Sequence, residues 1–93
     1  MFIQSINPAT GFEAYSFPTL NEEDLEEYLN VSKRSFEIWS RSSFEERTDL
    51  ILNVAQILEK KKSHLARLMA EEMGKLYASG IAEIEKCIFL CRY

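Results

Sequence analysis

The chain has 93 residues, a net charge of −4, and 46% hydrophobic and 28% charged residues. That is room for one small domain with the balance of a soluble folded chain, and the acidic excess argues against a nucleic-acid partner, whose phosphates call for a basic face. No apolar run approaches the roughly 20 residues of a membrane-spanning helix, and Met1-Phe2-Ile3-Gln4 lacks the features of a signal peptide, so the expectation is a cytoplasmic protein without a membrane partner.

Residues 3–17 predict a β-hairpin. Ile3 and Ile6 precede Asn7-Pro8-Ala9-Thr10-Gly11, a turn cluster in which Asn bonds its own backbone, Pro presets φ and Gly supplies a positive φ. Phe12, Ala14, Tyr15 and Phe17 follow before Pro18. A lone hairpin is marginal in water and must pack on something.

A first helix is expected over 22–41. Asn21 is a good N-cap, and Glu22, Glu23 and Asp24 occupy the first turn, where the helix dipole favours anions. Leu25, Tyr28, Leu29, Ser32, Phe36 and Trp39 share one face at helical spacing. Ser43-Phe44-Glu45-Glu46 is a capping box. It opens a second helix, over 44–61, with Leu50, Ile51, Val54, Ala55 and Leu58 on one stripe. Lys60-Lys61-Lys62 then reads as a basic helix end complementing the dipole, rather than a binding patch.

Ser63 is the expected cap of a third helix over 63–73, carrying Leu65, Leu68, Met69 and Met73, with Gly74 as its left-handed terminator. Ser79 is the expected cap of a fourth, over 79–93, whose stripe is Ile81, Ile84, Cys87, Ile88 and Cys91. That stripe runs to Tyr93 with no glycine or asparagine cap and no polar tail. A helix face cut off in mid-pattern predicts a piece of something longer. The fold class expected is therefore mainly α, four amphipathic helices after a short hairpin, with faces that could bury one another or cover a sheet found elsewhere.

Chemistry is sparse. No glycine-rich phosphate loop, nucleophile elbow or metal-ligand spacing is present. His64 is the sole histidine, and it reads as a surface neighbour of a cap. Cys87 and Cys91, four apart on one helix, would strain a disulfide and read as small buried hydrophobes. Glu22, Glu23, Asp24, Glu26, Glu27, Glu71 and Glu72 read as solvated or capping carboxylates. Phe36 and Trp39 read as core, or as a contact with a missing layer. No catalytic, cofactor-binding or metal residue is assigned.

Four segments in this order resemble the N-terminal end of aldehyde dehydrogenases, nearest to the succinate-semialdehyde dehydrogenase group. They are Ile6-Asn7-Pro8-Ala9-Thr10-Gly11, Ser43-Phe44-Glu45-Glu46-Arg47, Glu71-Glu72-Met73-Gly74-Lys75, and the run from Glu83 to Tyr93. The resemblance covers nearly the whole chain. It implies that residues 1–93 are a partial domain, the leading part of an α/β cofactor-binding domain. It also implies NAD or NADP in the intact family, which oxidises aldehydes to acids through a catalytic Cys and a Glu-activated water. Cys87 and Cys91 do not fall at that nucleophile's position. No cofactor is expected on this chain, and no activity from it alone. The sequence departs from the family pattern at Phe12, at Leu76, where Pro is common, and at Gly80, where a helix former is usual. The alternative reading is a helical interaction module that associates with itself. Under either reading, exposed apolar helix faces predict a homo-oligomer.

Overall fold

A computed structural model describes residues 1–93, with two strands and three helices in the order β1 (Phe2–Ile6), β2 (Glu13–Pro18), α1 (Glu22–Trp39), α2 (Phe44–Met73) and α3 (Tyr77–Arg92). The strands form the expected antiparallel hairpin, with Ile3 opposite Phe17 and a bulge between Ser5 and Ile6. Its loop is closed by the predicted chemistry. Asn7 Oδ1 accepts from Ala9 N at 2.9 Å, the Gly11 amide donates to Asn7 O at 2.8 Å, and Gly11 takes φ +73°. The hairpin meets α2 through Tyr15 Oη, which donates to Glu71 Oε2 at 2.8 Å.

The first two of the four expected N-caps form in full. Asn21 and Asp24 make a reciprocal capping box on α1, and Ser43 and Glu46 make one on α2. Glu46 accepts from Ser43 N at 2.7 Å, which holds its carboxyl below the ordinary value of 4.5. Helix α1 ends at Trp39, two residues short of the expected boundary.

The four-helix expectation is corrected to three, because α2 runs unbroken through Ser63 to Met73. Nothing at 60–64 breaks a helix: there is no Gly or Pro, and one serine is tolerated. The apolar stripe also continues through the supposed boundary, since Ala55, Leu58, Leu65, Ala66 and Met69 keep one face at i, i+3, i+4 spacing. Lys62 occupies the polar place in that stripe. It is partly buried, and its ammonium leaves the seam toward Glu85 Oε1 of α3 at 3.3 Å and Glu59 Oε1 at 3.7 Å. A lysine with a buried stem and a paired head is compatible with a packed helix face.

Gly74 ends α2 at φ +69°, as expected. Helix α3 starts at Tyr77, two residues before the predicted site, and Leu76 stands at the N-cap position with no side-chain cap. Ser79 therefore lies inside the first turn rather than capping it. The core is the seam between α2 and α3: Ala55, Ile84 and Ile88 are buried, with Leu58, Leu65, Met69 and Cys91 packed against them. Gly80 is the close approach of the pair. A Cβ built there would sit 3.2 Å from both Cα and Cβ of Ala66, inside ordinary carbon contact of about 3.5–4.0 Å. The glycine thus lets two helix backbones touch. Lys75, in the α2–α3 turn, forms an ion pair with Glu83.

Candidate functional site

Helix α1 is fixed by its far end. Arg47, in the first turns of α2, reaches back over the α1 C-terminus. Its Nη2 donates to the carbonyls of Trp39 at 3.2 Å, Ser40 at 3.3 Å and Ser42 at 3.2 Å, and its Nε donates to Ser42 Oγ at 2.9 Å. The same guanidinium lies 5.5 Å from the centre of the Trp39 ring, within cation–π range. One side chain thus satisfies carbonyls a helix end leaves orphaned. It also sets the direction in which α1 leaves α2. Sequence reading had Arg47 only as part of a motif; its place just past a capping box and eight residues after Trp39 was the available signal.

That direction carries α1 away from the rest of the chain. No residue of α1 is buried, and Leu25, Tyr28, Leu29 and Phe36 are each more than half exposed. The angle between α1 and α2 leaves an open concavity lined by Phe36, Ile38, Trp39, Ser42, Glu46 and Leu50, among others. It is the largest hollow with an apolar wall, and it opens broadly to solvent. Phe36 and Trp39 lie in this wall rather than in the α2–α3 core.

The whole molecule shares this character. Its Cα atoms span 47 × 39 × 14 Å, with a radius of gyration of 17.4 Å. A compact chain of this length has a radius near 12 Å. The accessible surface is 7916 Å², and five residues of 93 are buried. A compact monomer of 10.8 kDa exposes about 5,500 Å². Roughly 2,400 Å² more is open here than a closed globule of this mass would show. The protein is a layer about one helix thick, with many large apolar side chains exposed.

The residues weighed for chemistry remain dispersed. His64 lies inside α2, exposed, between shallow hollows that also take in Arg67, Tyr15, Tyr77 and Glu71. Cys91 is partly buried in the core seam, but Cys87 is exposed, which corrects the expectation that both pack inside. Cys87 lies about 40° round the helix from Cys91, at the edge of the α3 stripe whose centre Ile84 and Ile88 fill against α2. Glu71 accepts from Tyr15 and pairs with Arg67 at 3.2 Å, so it joins hairpin to helix. The carboxylate acceptor holds the Tyr15 phenol above its ordinary value of 10.0. No three His, Cys, Asp or Glu side chains converge as metal ligands. No helix is long and apolar enough to cross a membrane.

These residues do not fit a dinucleotide. Such a cofactor sits at the carboxyl ends of parallel strands, with its pyrophosphate on a glycine-rich turn and a helix N-terminus. The sheet here is one antiparallel pair. Helices α1 and α2 open with acidic first turns, which repel phosphate.

The aldehyde dehydrogenase family profile matches residues 1–93. A probable NADP+-dependent succinate-semialdehyde dehydrogenase of Synechocystis is 33% identical over 93 residues, covering 100% of this chain and 20% of that protein. Aldehyde dehydrogenase family 7 member A1 of Pisum sativum is 32% identical over 91 residues, covering 98% of this chain and 18% of its own length. In structure, the NADP-dependent glyceraldehyde-3-phosphate dehydrogenase of Bacillus halodurans, crystallised with NADP, superposes with a TM-score of 0.89 at 28% identity, over 97% of this chain and 19% of that one. The chain spans about a fifth of the length of the curated relatives it matches. With the family profile matching every residue from 1 to 93, the chain belongs to the aldehyde dehydrogenase family.

Proposed function

We propose that the chain is the leading part of the cofactor-binding domain of an NAD(P)-dependent aldehyde dehydrogenase, with its apolar face laid over the rest of that domain. The observation that carries this reading is the one-helix-thick layer with about 2,400 Å² of excess surface. The match to a fifth of its relatives' length supports it, because the other four-fifths would supply the covering layer. The intact enzyme would oxidise an aldehyde to a carboxylic acid with NAD or NADP, and the likeness to a probable NADP+-dependent succinate-semialdehyde dehydrogenase favours a semialdehyde substrate. Its thiol nucleophile, general base and nicotinamide site would lie outside residues 1–93.

On this reading the 93-residue chain has no turnover and no nucleotide affinity of its own. Titration calorimetry with NADP+ and an absorbance assay for NADPH formation with succinate semialdehyde test both halves. Heat of NADP+ binding, or turnover above blank, would place a dinucleotide site on this chain and overturn the reading.

A further inference from the structure

We propose that Cys87 and Cys91 form a two-sulfur site on α3 for a soft, thiolate-binding ion, Cu(I) held in two-coordinate form. The inference is independent of the dehydrogenase reading, since it uses only the geometry of α3 and the groups around its thiols.

Helix α3 runs unbroken from Tyr77 to Arg92, so the two cysteines stand on successive turns. Residues at i and i+4 hold their Cβ atoms about 5–6 Å apart. A disulfide needs about 3.5–4.5 Å, so the pair does not close on itself while the helix stands. Both cysteines are free. Two sulfurs bonded to one ion at about 2.3 Å each lie up to about 4.6 Å apart. Each sulfur is one bond beyond its Cβ, and the Cys91 side chain leans back toward the preceding turn, as helical side chains do. A bridging ion therefore fills a gap that a disulfide cannot. Cys87 is exposed and Cys91 partly buried. The ion enters from the Cys87 side and comes to rest beside the apolar seam that Cys91 joins.

The surroundings select the ion. Thiolates favour Cu(I), zinc and iron–sulfur clusters. Zinc takes four ligands, and no third His, Cys, Asp or Glu converges with these two. Two sulfurs alone suit Cu(I). Binding breaks two S–H bonds, forms two S–Cu bonds and releases two protons to solvent, and the copper stays Cu(I) throughout. The product carries one negative charge. Cys91 lines a hollow between the start of α2 and the last turn of α3 whose only charged residues are Arg47 and Arg92. Both are cations and offset that charge. The carboxylates of α3 that stand nearest in sequence, Glu83 and Glu85, are already paired with Lys75 and Lys62.

Anaerobic titration of the reduced chain against Cu(I) held by the coloured chelator bicinchoninate tests the site. Each chain is expected to withdraw a single copper ion, and to do so more strongly in mildly alkaline than in mildly acidic buffer, because both ligands must lose protons. Cys87→Ser and Cys91→Ser should each weaken binding at least about tenfold, since the second sulfur acts at high effective concentration. Circular dichroism should show unchanged helix content, above all for Cys87→Ser, which alters an exposed side chain. Arg92→Glu should weaken binding about threefold or more by reversing a neighbouring charge, with the stoichiometry unchanged. A chain that withdraws no copper overturns the proposal, and so does binding that survives either cysteine substitution. A complex of two chains on one copper also overturns it, because the second sulfur would then come from another molecule. Zn(II) bound as tightly as Cu(I) would contradict the two-coordinate assignment.

Discussion

Gly80 is the position where one added carbon tests the packing of the fold. A Cβ there would lie 3.2 Å from Ala66 Cα, 3.2 Å from Ala66 Cβ and 3.3 Å from Ala66 O. Carbon pairs rest at about 3.5–4.0 Å, so the helices must part by a few tenths of an ångström at their tightest point. The obstacle is backbone and a methyl, neither of which can rotate away. Two effects then oppose each other. Replacing a helical glycine by alanine gains up to about 1 kcal/mol of helix propensity, while overpacking a close contact costs about 1–3 kcal/mol. The overpacking term wins narrowly for alanine, giving a loss of about 0–2 kcal/mol. For Gly80→Val the propensity gain shrinks and two further methyls enter, so the loss is about 2–3 kcal/mol. Urea unfolding followed by circular dichroism, at one fixed protein concentration, should rank wild type above Gly80→Ala and that above Gly80→Val. Ala66→Gly clears part of the obstruction and should couple favourably to Gly80→Ala by about 0.5–1 kcal/mol in a double-mutant cycle. A Gly80→Val protein as stable as wild type would refute the close approach.

Four further outcomes rest on other contacts of the chain. Arg47→Ala should cost about 1–2 kcal/mol, because charged hydrogen bonds to orphan carbonyls are lost. It should also blue- or red-shift Trp39 fluorescence as the ring loses its cation, and Arg47→Lys should not restore it, since the fork cannot be replaced by a point charge. Leu76→Pro should stabilise the chain by about 0.4–1 kcal/mol, because Leu76 already sits at φ −58°, within proline's range; a lower melting temperature would contradict this. Two pH effects have opposite signs. Glu46, held below 4.5 by Ser43, supports the α2 cap fully above pH 4.5 and ceases to as pH falls through its lower folded value. Tyr15, held above 10.0 by Glu71, ties the hairpin to α2 below pH 10 and releases it as pH rises through its higher folded value. Amide exchange at 44–47 on the acid side and at 13–17 on the alkaline side reads each separately.

The elements legible in the sequence were those governed by local chemistry. Asn7 and Gly11 made the hairpin loop, Asn21 and Ser43 made the caps, and Gly74 made the left-handed stop, each from interactions within a few residues. The false helix boundary at 61–63 came from reading Lys60, Lys61 and Lys62 as a terminus. Lys62 instead reaches Glu85, 23 residues away, a pairing that only the packed seam reveals. Gly80 stood out only as a departure from the family pattern for a related reason: its partner Ala66 lies on another helix. The α1 stripe read correctly as apolar, but the sequence could not tell whether it turned inward. That depended on Arg47, whose four hydrogen bonds set the angle between the helices. The empty search for chemistry and the flat shape belong together, because a layer that encloses nothing offers no closed site in which to collect reactive groups.

The most direct test of the account joins residues 1–93 to the remaining four-fifths of the Synechocystis relative in place of its own leading segment. The account predicts a soluble chimera that reduces NADP+ with succinate semialdehyde, while residues 1–93 alone do not. A chimera that folds and binds NADP+ but leaves the α1 and α2 stripes as open to solvent labelling as in the free chain would contradict it, because the exposed face would then not be the surface the rest of the enzyme covers.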